Sequence, residues 1–275
     1  MSSDQPPVQS VLTIGGSDSS GGAGVQADLK TFNNLGLHGS SVLTCVTAQN
    51  SLGVSHVEAI SCASIRHQLD AVLTDLSLGA VKTGMLFSAE IVEEISDTLN
   101  NFDAFIVVDP VMVSRAGSIL LHDDAVASYK KLLFPLASLI TPNIFEAGLL
   151  ANYSISTKSD VEVAASRLLD YGVGSVLVKG GGRRNLAGQD YLLTNQGCGK
   201  WYVSEYLDTP HTHGTGCTLS AAVAAFLTTG LTLSDAIHQS KRYLNKALQQ
   251  AFKFGKSTGC VCHFASIQNQ FSMQN

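Results

Sequence analysis

Short apolar runs alternate along this chain with longer segments whose apolar positions recur every three or four residues. The runs predict buried strands, and the longer spacing predicts helices that pack one face against a sheet. The predicted strands are Val11–Ile14, Ser41–Ala48, Val54–Ile60, Ala80–Thr83, Phe105–Asp109, Leu139–Thr141, Ser175–Lys179 and a hairpin of Asp190–Thr194 with Trp201–Ser204. The predicted helices are Ala23–Leu35, Ile65–Leu76, Glu90–Leu99, Asp123–Phe134, one opened by Asn143, Val161–Tyr171, Gly214–Thr228 and Ser234–Phe254.

This alternation predicts an α/β fold with a mostly parallel central sheet and helices on both faces. The chain shows no internal repeat, low-complexity run or long linker, so we predict one domain over residues 1–275. We expect residues 1–9 and 266–275 to be flexible tails. In such sheets, ligands bind at the carboxyl ends of the strands. Five residues of chemical interest fall at predicted strand ends, and together they predict a site at that edge: Gly15, Gly84, Asp109, Asn143 and Lys179.

Composition narrows the classes of function. The 275 residues are 45% hydrophobic and only 14% charged, with a net charge of −5, which favours a compact enzyme over a nucleic-acid or anionic-membrane binder. No run reaches the roughly 18 apolar residues of a membrane span, and the N-terminal residues lack a secretory pattern. Six dispersed cysteines favour a reducing cytoplasm over a disulfide framework. Cys260-Val261-Cys262-His263 lacks the second ligand pair that zinc sites usually have.

The segment His213-Gly214-Thr215-Gly216-Cys217 runs directly into an apolar helix. Glycines before a helix leave its first N–H groups unpaired, and the helix dipole is positive there, so the segment predicts an anion site. The same field should lower the pKa of Cys217 and favour its thiolate. The alternative is a glycine loop that caps a core helix, with Cys217 as a small hydrophobic residue.

A second glycine-rich segment, residues 15–24, follows the first strand and precedes the first helix. Its backbone could approach a ligand closely, although a flexible loop is the alternative. Gly22, Gly24 and Ala27 match a dinucleotide fingerprint, but the acidic residue that should follow about twenty positions later is missing. We therefore do not expect NAD. No nucleotide P-loop is present either, so any ATP must bind by another route.

Two further groups offer phosphate and metal chemistry. Asp109, Asn143 and Glu146 follow adjacent strands and could hold Mg²⁺ directly or through water, unless Asn143 and Glu146 only cap a helix. Lys179 precedes three glycines and could reach a polyphosphate, or could be an exposed lysine in a turn.

These segments closely resemble the hydroxymethylpyrimidine/phosphomethylpyrimidine kinases of thiamine biosynthesis, within the ribokinase-like superfamily. The similarity covers roughly residues 10–265, with the segments in the family's order. The matching segments are residues 16–32, Thr47-Ala48-Gln49-Asn50, Lys82-Thr83-Gly84-Met85-Leu86, Asp109-Pro110-Val111-Met112, Leu139-Ile140-Thr141-Pro142-Asn143, Lys179-Gly180-Gly181 and residues 212–222.

The resemblance implies a ribokinase-like α/β fold and ATP-dependent phosphorylation, with Mg²⁺, of 4-amino-5-hydroxymethyl-2-methylpyrimidine and then of its monophosphate. It implies that Gln49 binds the pyrimidine amino edge and that Met85 packs on the ring. The implied substrate-binding set is Gln49, Gly16, Ala23, Asp28, Met85 and Met112.

The resemblance also implies roles at the phosphate end of the site. Gly214, Thr215, Gly216 and Cys217 would form the anion hole for the transferring phosphate, with Cys217 as general base. The implied nucleotide-binding residues are Lys179, Asn143 and Lys241, and the implied metal-binding residues are Asp109 and Glu146. The residues Gly182-Arg183-Arg184 depart from the family, which often has histidine there, and this segment is expected in a flap over ATP. A homodimer is expected from the family.

Three other functions stay open at this point. Pyridoxal kinase, alone or with pyrimidine kinase activity, shares the fold and the cysteine-type anion hole. A non-catalytic pyrimidine-binding protein would need the pocket but not the phosphate machinery. A cysteine hydrolase would pair Cys217 with His211 or His213, although the sequence shows no evident carboxylate to orient either histidine.

Overall fold

The computed structural model describes residues 9–112, 123–181 and 185–264. Within these residues, nine strands form one sheet in the order β3-β2-β1-β4-β5-β6-β7-β8-β9. The pairings from β2 through β7 are parallel, while β3 at one edge, and β8 followed by β9 at the other, join by antiparallel pairing. The strands are β1 Ser10–Asp18, β2 His38–Asn50, β3 Gly53–Ala59, β4 Leu78–Thr83, β5 Phe105–Val108, β6 Leu139–Ile140, β7 Ser175–Lys179, β8 Gln189–Thr194 and β9 Gly199–Val203.

Helices cover both faces of the sheet, as the sequence predicts. On one face, α1, α7 and α8 bury a core around Phe32, Val223 and Ile237. On the other face, α2 to α6 bury a larger core around Leu69, Ile95, Leu133 and Leu168. The helices are α1 Gly24–Asn34, α2 Cys62–Leu73, α3 Ala89–Leu99, α4 Asp123–Ser128, α5 Ile144–Ala151, α6 Lys158–Leu169, α7 Thr215–Thr228 and α8 Leu233–Gln249.

The central strands carry buried side chains on both faces of the sheet, and these strands hold the site residues at their ends. Val11, Leu12 and Ile14 in β1 are fully buried, and every residue of β7 is buried. Helix α7 is apolar on nearly all sides, and it packs against strands of the sheet and against helices α1 and α8. Its first turn is therefore held firmly over the carboxyl ends of β4 and β5.

Several element boundaries differ from the predictions for local reasons. Strand β1 runs on to Asp18, because residues 16–18 pair with β2 after a register shift. The predicted helix at 123–134 becomes α4 followed by a π turn, Tyr129–Leu133, and a 3₁₀ turn that contains Pro135. Helix α8 ends at Gln249, before the predicted Phe254, because Phe252 forms a β-bridge with Cys260 instead.

The sequence also led to predictions about the cysteines, about membrane-spanning segments and about the two tails. All six cysteines are free thiols. Across residues 9–112, 123–181 and 185–264, no helix combines the length and apolar character that crossing a bilayer requires. The predicted tails lie outside the described residues, apart from Gln9.

Candidate active site

A cavity of about 750 Å³ opens at the carboxyl edge of the sheet, between the glycine loop (residues 15–24) and the start of α7. Strands β1, β4, β5 and β7 end at this edge, so residues far apart in sequence meet there. The predicted site residues that line it are Gly16, Ala23, Asp28, Gln49, Met85, Asp109, Asn143, Glu146, Lys179, Gly214, Thr215, Gly216, Cys217 and Lys241. The structure thus brings fourteen of the fifteen predicted residues together.

The exception is Met112, which was expected in the substrate wall. Its side chain is 3% exposed and belongs to the core on the α2–α6 face, so it does not line the cavity in this structure. Its neighbour Val111 lines the cavity instead. The backbone of Met112 still serves the site, because its N–H donates a hydrogen bond to the Glu146 carboxylate.

Residues 213–217, here called the anion loop, turn sharply into α7. Gly214 caps the helix with φ +82°, and a Cβ there would stand 1.9 Å from the Gly22 carbonyl oxygen. Only glycine satisfies both the backbone conformation and this close approach. Among the described residues no side chain caps α7, and the first-turn N–H groups of Gly216 and Cys217 have no intrahelical partner and stand at the positive end of the dipole. The loop can therefore bind an anion.

The predicted lowering of the Cys217 pKa was wrong. Burial raises the pKa of the thiol to about 11, and the Asp28 and Asp109 carboxylates add to this. The Lys82 ammonium and the Gly24 backbone oppose the rise but do not reverse it. The physical reason is that the helix end lies in a desolvated floor whose charges are already paired, so the thiolate gains less than it loses from water.

Lys82 is a functional candidate that the motif analysis did not single out. Its Nζ lies 2.7 Å from Asp28 Oδ2, and both side chains are only 1% exposed. Thr13 donates a second hydrogen bond of 2.6 Å to the same oxygen. The other oxygen, Asp28 Oδ1, is buried and has no hydrogen-bond partner among the described residues. A lysine in a β-strand with apolar neighbours was the available sequence signal.

Asp109 and Lys179 form a second buried ion pair at the floor. Lys179 Nζ donates to Asp109 Oδ1 at 2.7 Å, and Thr141 and Ser220 donate to the same carboxylate at 3.3 and 3.0 Å. Burial works against both charges, but their attraction prevails, so the pKa of Asp109 is lowered and that of Lys179 is raised. Lys179 is therefore a buried cation beside the anion loop, not an exposed lysine in a turn.

Asn143 and Glu146 satisfy both interpretations offered by the sequence. They form a capping box at the start of α5: Glu146 N–H donates to Asn143 Oδ1 at 3.0 Å, and Asn143 N–H donates to Glu146 Oε2 at 2.8 Å. Both also line the cavity. Burial and the nearby Asp109 raise the pKa of Glu146 to about 7, against the lowering by Lys179. Glu146 is thus a carboxyl whose charge changes near neutral pH.

The same groups bear on metal binding. Within residues 9–112, 123–181 and 185–264, no cluster of three or more His, Cys, Asp or Glu side chains could hold a metal by itself. Asp109 already accepts hydrogen bonds on both oxygens, while Glu146 uses Oε2 for the cap. Mg²⁺ commonly binds through one or two carboxylates plus water and phosphate oxygens. The donor set fits that mode and not an all-protein cage.

The substrate end of the cavity is small and apolar. A Cβ on Gly16 would come within 2.8 Å of both Cys45 Sγ and Met85 Cε, so the missing side chain lets these two side chains pack directly against the loop backbone. Gln49 lies at the rim on β2, and its backbone exchanges two 2.8 Å hydrogen bonds with the Ser19 hydroxyl. Together these residues provide an apolar slot with one amide at its edge.

His213 and Asp18 are joined by a side-chain contact that the sequence did not predict. His213 Nε2 lies 2.8 Å from Asp18 Oδ2, which also accepts hydrogen bonds from the N–H groups of Gly22 and Ala23. Burial alone raises the pKa of Asp18, but hydrogen bonds from His213 and Ser20 lower it to about 2. The sequence shows no evident carboxylate that could orient His213, and the structure identifies Asp18 as that partner.

Lys241 reaches the cavity from α8, far from the motifs around it in sequence. Its Nζ contacts Asp190 Oδ2 and donates to the Gly188 carbonyl at 3.2 Å. Because this cation is already paired, an incoming phosphate would share it with Asp190. The predicted flap residues Gly182-Arg183-Arg184 lie outside the described residues.

Comparison with known proteins identifies the family. A family model described as phosphomethylpyrimidine kinase matches residues 18–262. The hydroxymethylpyrimidine/phosphomethylpyrimidine kinase of Synechococcus elongatus is 46% identical over 92% of this chain and 96% of its own length.

Solved structures agree with the fold. The ADP complex of Bacillus subtilis pyridoxal kinase superposes with a TM-score of 0.88 and 36% identity, over 95% of this chain and 99% of that one. The phosphomethylpyrimidine kinase of Clostridium difficile superposes with a TM-score of 0.78 and 41% identity, over 87% and 99% of the two chains. The predicted ribokinase-like α/β fold is confirmed, and the chain belongs to the phosphomethylpyrimidine kinase family.

Proposed function

We propose that this protein transfers the γ-phosphoryl group of ATP to the hydroxymethyl group of 4-amino-5-hydroxymethyl-2-methylpyrimidine and then phosphorylates the monophosphate, in thiamine biosynthesis. The observation that carries the proposal is one cavity that joins an uncapped helix N-terminus to an apolar slot edged by Gln49. Similarity to kinases of this name over nearly the whole chain supports it.

The substrate end explains the choice of a small aromatic ring. The missing side chain at Gly16 lets Met85 pack against the glycine loop, and the flexible thioether of Met85 can adapt to the face of a flat ring. The Gln49 amide offers a donor and an acceptor side by side, as an aminopyrimidine edge requires. Ala23 adds little bulk where the glycine loop meets the cavity.

The phosphate end positions charge instead of forming covalent bonds. Phosphoryl transfer depends mainly on in-line placement and on neutralisation of the equatorial oxygens. Residues 214–217 supply N–H groups at a helix N-terminus, while Lys179 and Lys241 supply ammonium groups. The donors are already fixed by the fold, so little reorganisation is needed when the phosphate arrives.

Cys217 is the proposed general base. Its thiolate would take the proton of the substrate hydroxyl while the hydroxyl oxygen bonds to the γ-phosphorus and ADP departs. A thiol with a pKa of about 11 is rarely ionised at neutral pH. A loose transition state tolerates this, because the attacking oxygen forms little bond before the leaving bond is broken.

Mg²⁺ is proposed to bind at the floor through Asp109 and Glu146, with water between the protein and the metal. When bound, it would offset the negative charge of the nucleotide phosphates. Asp109 stays ionised because its pKa is lowered, so it is ready to accept hydrogen bonds from metal-bound water. A homodimer and a cytoplasmic location stay predictions.

Pyridoxal phosphorylation is the second candidate, alone or beside the pyrimidine activity. It is favoured by the TM-score of 0.88 with Bacillus subtilis pyridoxal kinase. The phosphate end would be the same for either substrate, so only the slot around Gln49 and Met85 separates them.

The remaining alternatives have less support. A non-catalytic binding protein would not need buried Lys179 and Asp109 beside an anion loop. For a cysteine hydrolase, His211 Nδ1 already accepts the Gly259 N–H at 2.8 Å, and His213 Nε2 is bound to Asp18. Each imidazole keeps its other nitrogen, but the main groups that act on the Cys217 thiol are Lys82, Asp28, Asp109 and the Gly24 backbone, and neither histidine is among them.

The test is a steady-state assay with ATP and Mg²⁺ that compares kcat/KM for hydroxymethylpyrimidine, its monophosphate and pyridoxal. We expect turnover of both pyrimidines well above that of pyridoxal. Preference for pyridoxal would instead assign the protein to vitamin B6 salvage. Absence of turnover with all three would contradict the kinase proposal and favour a binding protein.

A further inference from the structure

The two loops that form the cavity are joined by a single carboxylate. Asp18 Oδ1 accepts hydrogen bonds from the N–H and hydroxyl of Ser20 at 2.8 and 2.7 Å, within the glycine loop. Its other oxygen accepts from Gly22 and Ala23 of the same loop and lies 2.8 Å from His213 Nε2, in the anion loop. Both side chains are largely buried, at 3% and 14% exposure. Asp18 therefore fixes the imidazole relative to the substrate end.

The position of the proton on His213 follows from this contact. Asp18 is ionised and already accepts four N–H or O–H donors, so it can only accept from the imidazole. His213 Nε2 must therefore carry a proton. A protonated Nε2 has no lone pair to offer to any other donor.

The proton on His213 Nε2 determines which hydrogen bonds the Gln49 amide can make. Gln49 Nε2 lies 3.4 Å from His213 Nε2, and Gln49 Oε1 lies 3.3 Å from Thr47 Oγ1. Because His213 cannot accept, the amide N–H groups of Gln49 remain available to a ligand in the cavity. The backbone hydrogen bonds with Ser19 hold the residue in this place.

We propose that His213 is a specificity-determining residue that acts through Gln49, with Asp18 holding its protonated Nε2 toward the glutamine. The arrangement selects a heteroaromatic edge on which a ring-nitrogen acceptor adjoins an exocyclic amino donor. An aminopyrimidine has that edge, and pyridoxal lacks an amino group beside its ring nitrogen. The inference rests on the proposed function for the identity of the substrate and adds the residues that would set its selectivity.

The test is a double-mutant cycle measured by calorimetric binding of 4-amino-5-hydroxymethyl-2-methylpyrimidine without ATP. In His213→Gln, the new amide can donate to Asp18 and accept from Gln49, which removes the free donor. We expect its Kd to rise about tenfold, the worth of roughly one hydrogen bond. Gln49→Ala should cost at least as much. In the Gln49→Ala background, His213→Gln should change Kd by less than about twofold, because coupled residues are non-additive.

His211→Gln is the matched control. His211 stands two residues away in the same segment and makes a structural hydrogen bond to Gly259, but it does not line the cavity. Its Kd for the pyrimidine should stay within about twofold of the wild type, as expected for a site without shared partners. Pyridoxal binding should change much less than pyrimidine binding in His213→Gln.

Three outcomes would overturn the inference. One is a double variant in which the separate effects of His213→Gln and Gln49→Ala on Kd simply multiply, which means that the two residues act independently. Another is equal weakening of pyrimidine and pyridoxal, accompanied by a lower melting temperature, which marks a purely structural role. If His213→Gln folds poorly, Asp18→Asn replaces it in the cycle. The third outcome is then an unchanged preference of Asp18→Asn for the pyrimidine over pyridoxal. A wild type that binds the pyrimidine without turnover would defeat the kinase proposal alone.

Discussion

Lys179 Nζ lies 2.7 Å from Asp109 Oδ1, which joins the end of β7 to the end of β5 directly beneath the first turn of α7. A Cβ on Gly216 would stand only 3.4 Å from the same ammonium nitrogen, so the cation is immediately next to the anion loop. Ser220 of α7 donates to the other oxygen of Asp109. One ion pair thus holds two strands and a helix at the point where phosphate is expected.

Replacement of Lys179 tests its role at the phosphate. In Lys179→Met, we expect kcat/KM for ATP to fall on the order of a hundredfold or more, because a preorganised charge is lost. Steady-state kinetics with varied ATP measures this. Lys200→Met, in which an exposed lysine bonded to Ser234 is removed, is the control and should behave like the wild type. A Lys179→Met enzyme with normal kcat/KM would contradict the assignment.

Removal of Cys217 tests the general base. Cys217→Ala should fold normally and lose turnover by about a hundredfold or more. Since the thiol pKa is raised to about 11, the thiolate fraction should grow about tenfold per pH unit below that value. The wild-type rate should therefore rise between pH 7 and 9, and the variant rate should not.

The exposed thiol of Cys198 offers the control for the cysteine experiment. Cys198→Ala should keep both the rate and the pH dependence of the wild type. If Cys217→Ala retains near-wild-type turnover, or shows the same rise with pH, then another group is the base.

Glu146 predicts a pH-dependent stability. Its pKa is raised from the ordinary glutamate value of 4.5, which we take for the unfolded chain, to about 7 in the folded protein. The folded chain therefore holds the proton more tightly. The contribution of Glu146 to the free energy of unfolding should fall as pH rises from 4.5 to 7 and stay low above 7. The loss is on the order of 3 kcal/mol at most.

Glu146→Gln removes this titration while its carbonyl can still accept the Asn143 N–H. Urea unfolding at several pH values should show the variant gaining stability relative to the wild type between pH 5 and 8. A difference that stays constant across that range would mean that Glu146 does not titrate there.

The two ends of α7 offer a matched pair of glycines. Gly214 and Gly230 have nearly the same φ, +82° and +85°, so alanine costs about 1–2 kcal/mol of backbone strain at either. Among the described residues, only at Gly214 would the new Cβ meet another atom, the Gly22 carbonyl oxygen, whereas none of their atoms lies within 4 Å at Gly230. Gly214→Ala should therefore destabilise more and abolish turnover.

Gly230→Ala should lower the melting temperature modestly and leave kcat/KM unchanged. Thermal unfolding and the kinase assay on both variants check this. Equal activity losses in the two variants would show that backbone strain, and not the anion loop, controls turnover.

Local pattern was enough for most elements. β7 was predicted with the bounds observed, because its three central residues are an apolar run and a glycine follows its last residue. The end of α8 was missed, since Phe252 pairs with Cys260, which lies well beyond the helix end in the chain. No periodicity within residues 234–254 carries that information.

The candidate site shows the same division. The glycines, Cys217, Asp109 and Lys179 were recognisable because backbone turns and strand ends have local signatures. The pairing of Lys82 with Asp28, the contact of Asp18 with His213 and the place of Met112 were not, since each depends on a partner from another element. The direction of the Cys217 pKa shift was wrong for the same reason, because burial comes from the surrounding helices and strands.

The sequence by itself determined the alternating strands and helices, the glycine turns and the edge of the sheet where the site lies, because these follow from hydrogen bonding and hydrophobic spacing between near neighbours. Only the tertiary structure decided which charges are paired, as with Lys82 and Asp28, and which ring nitrogen of His213 carries a proton. Ion pairing and desolvation depend on distances through space between residues that are far apart in the chain.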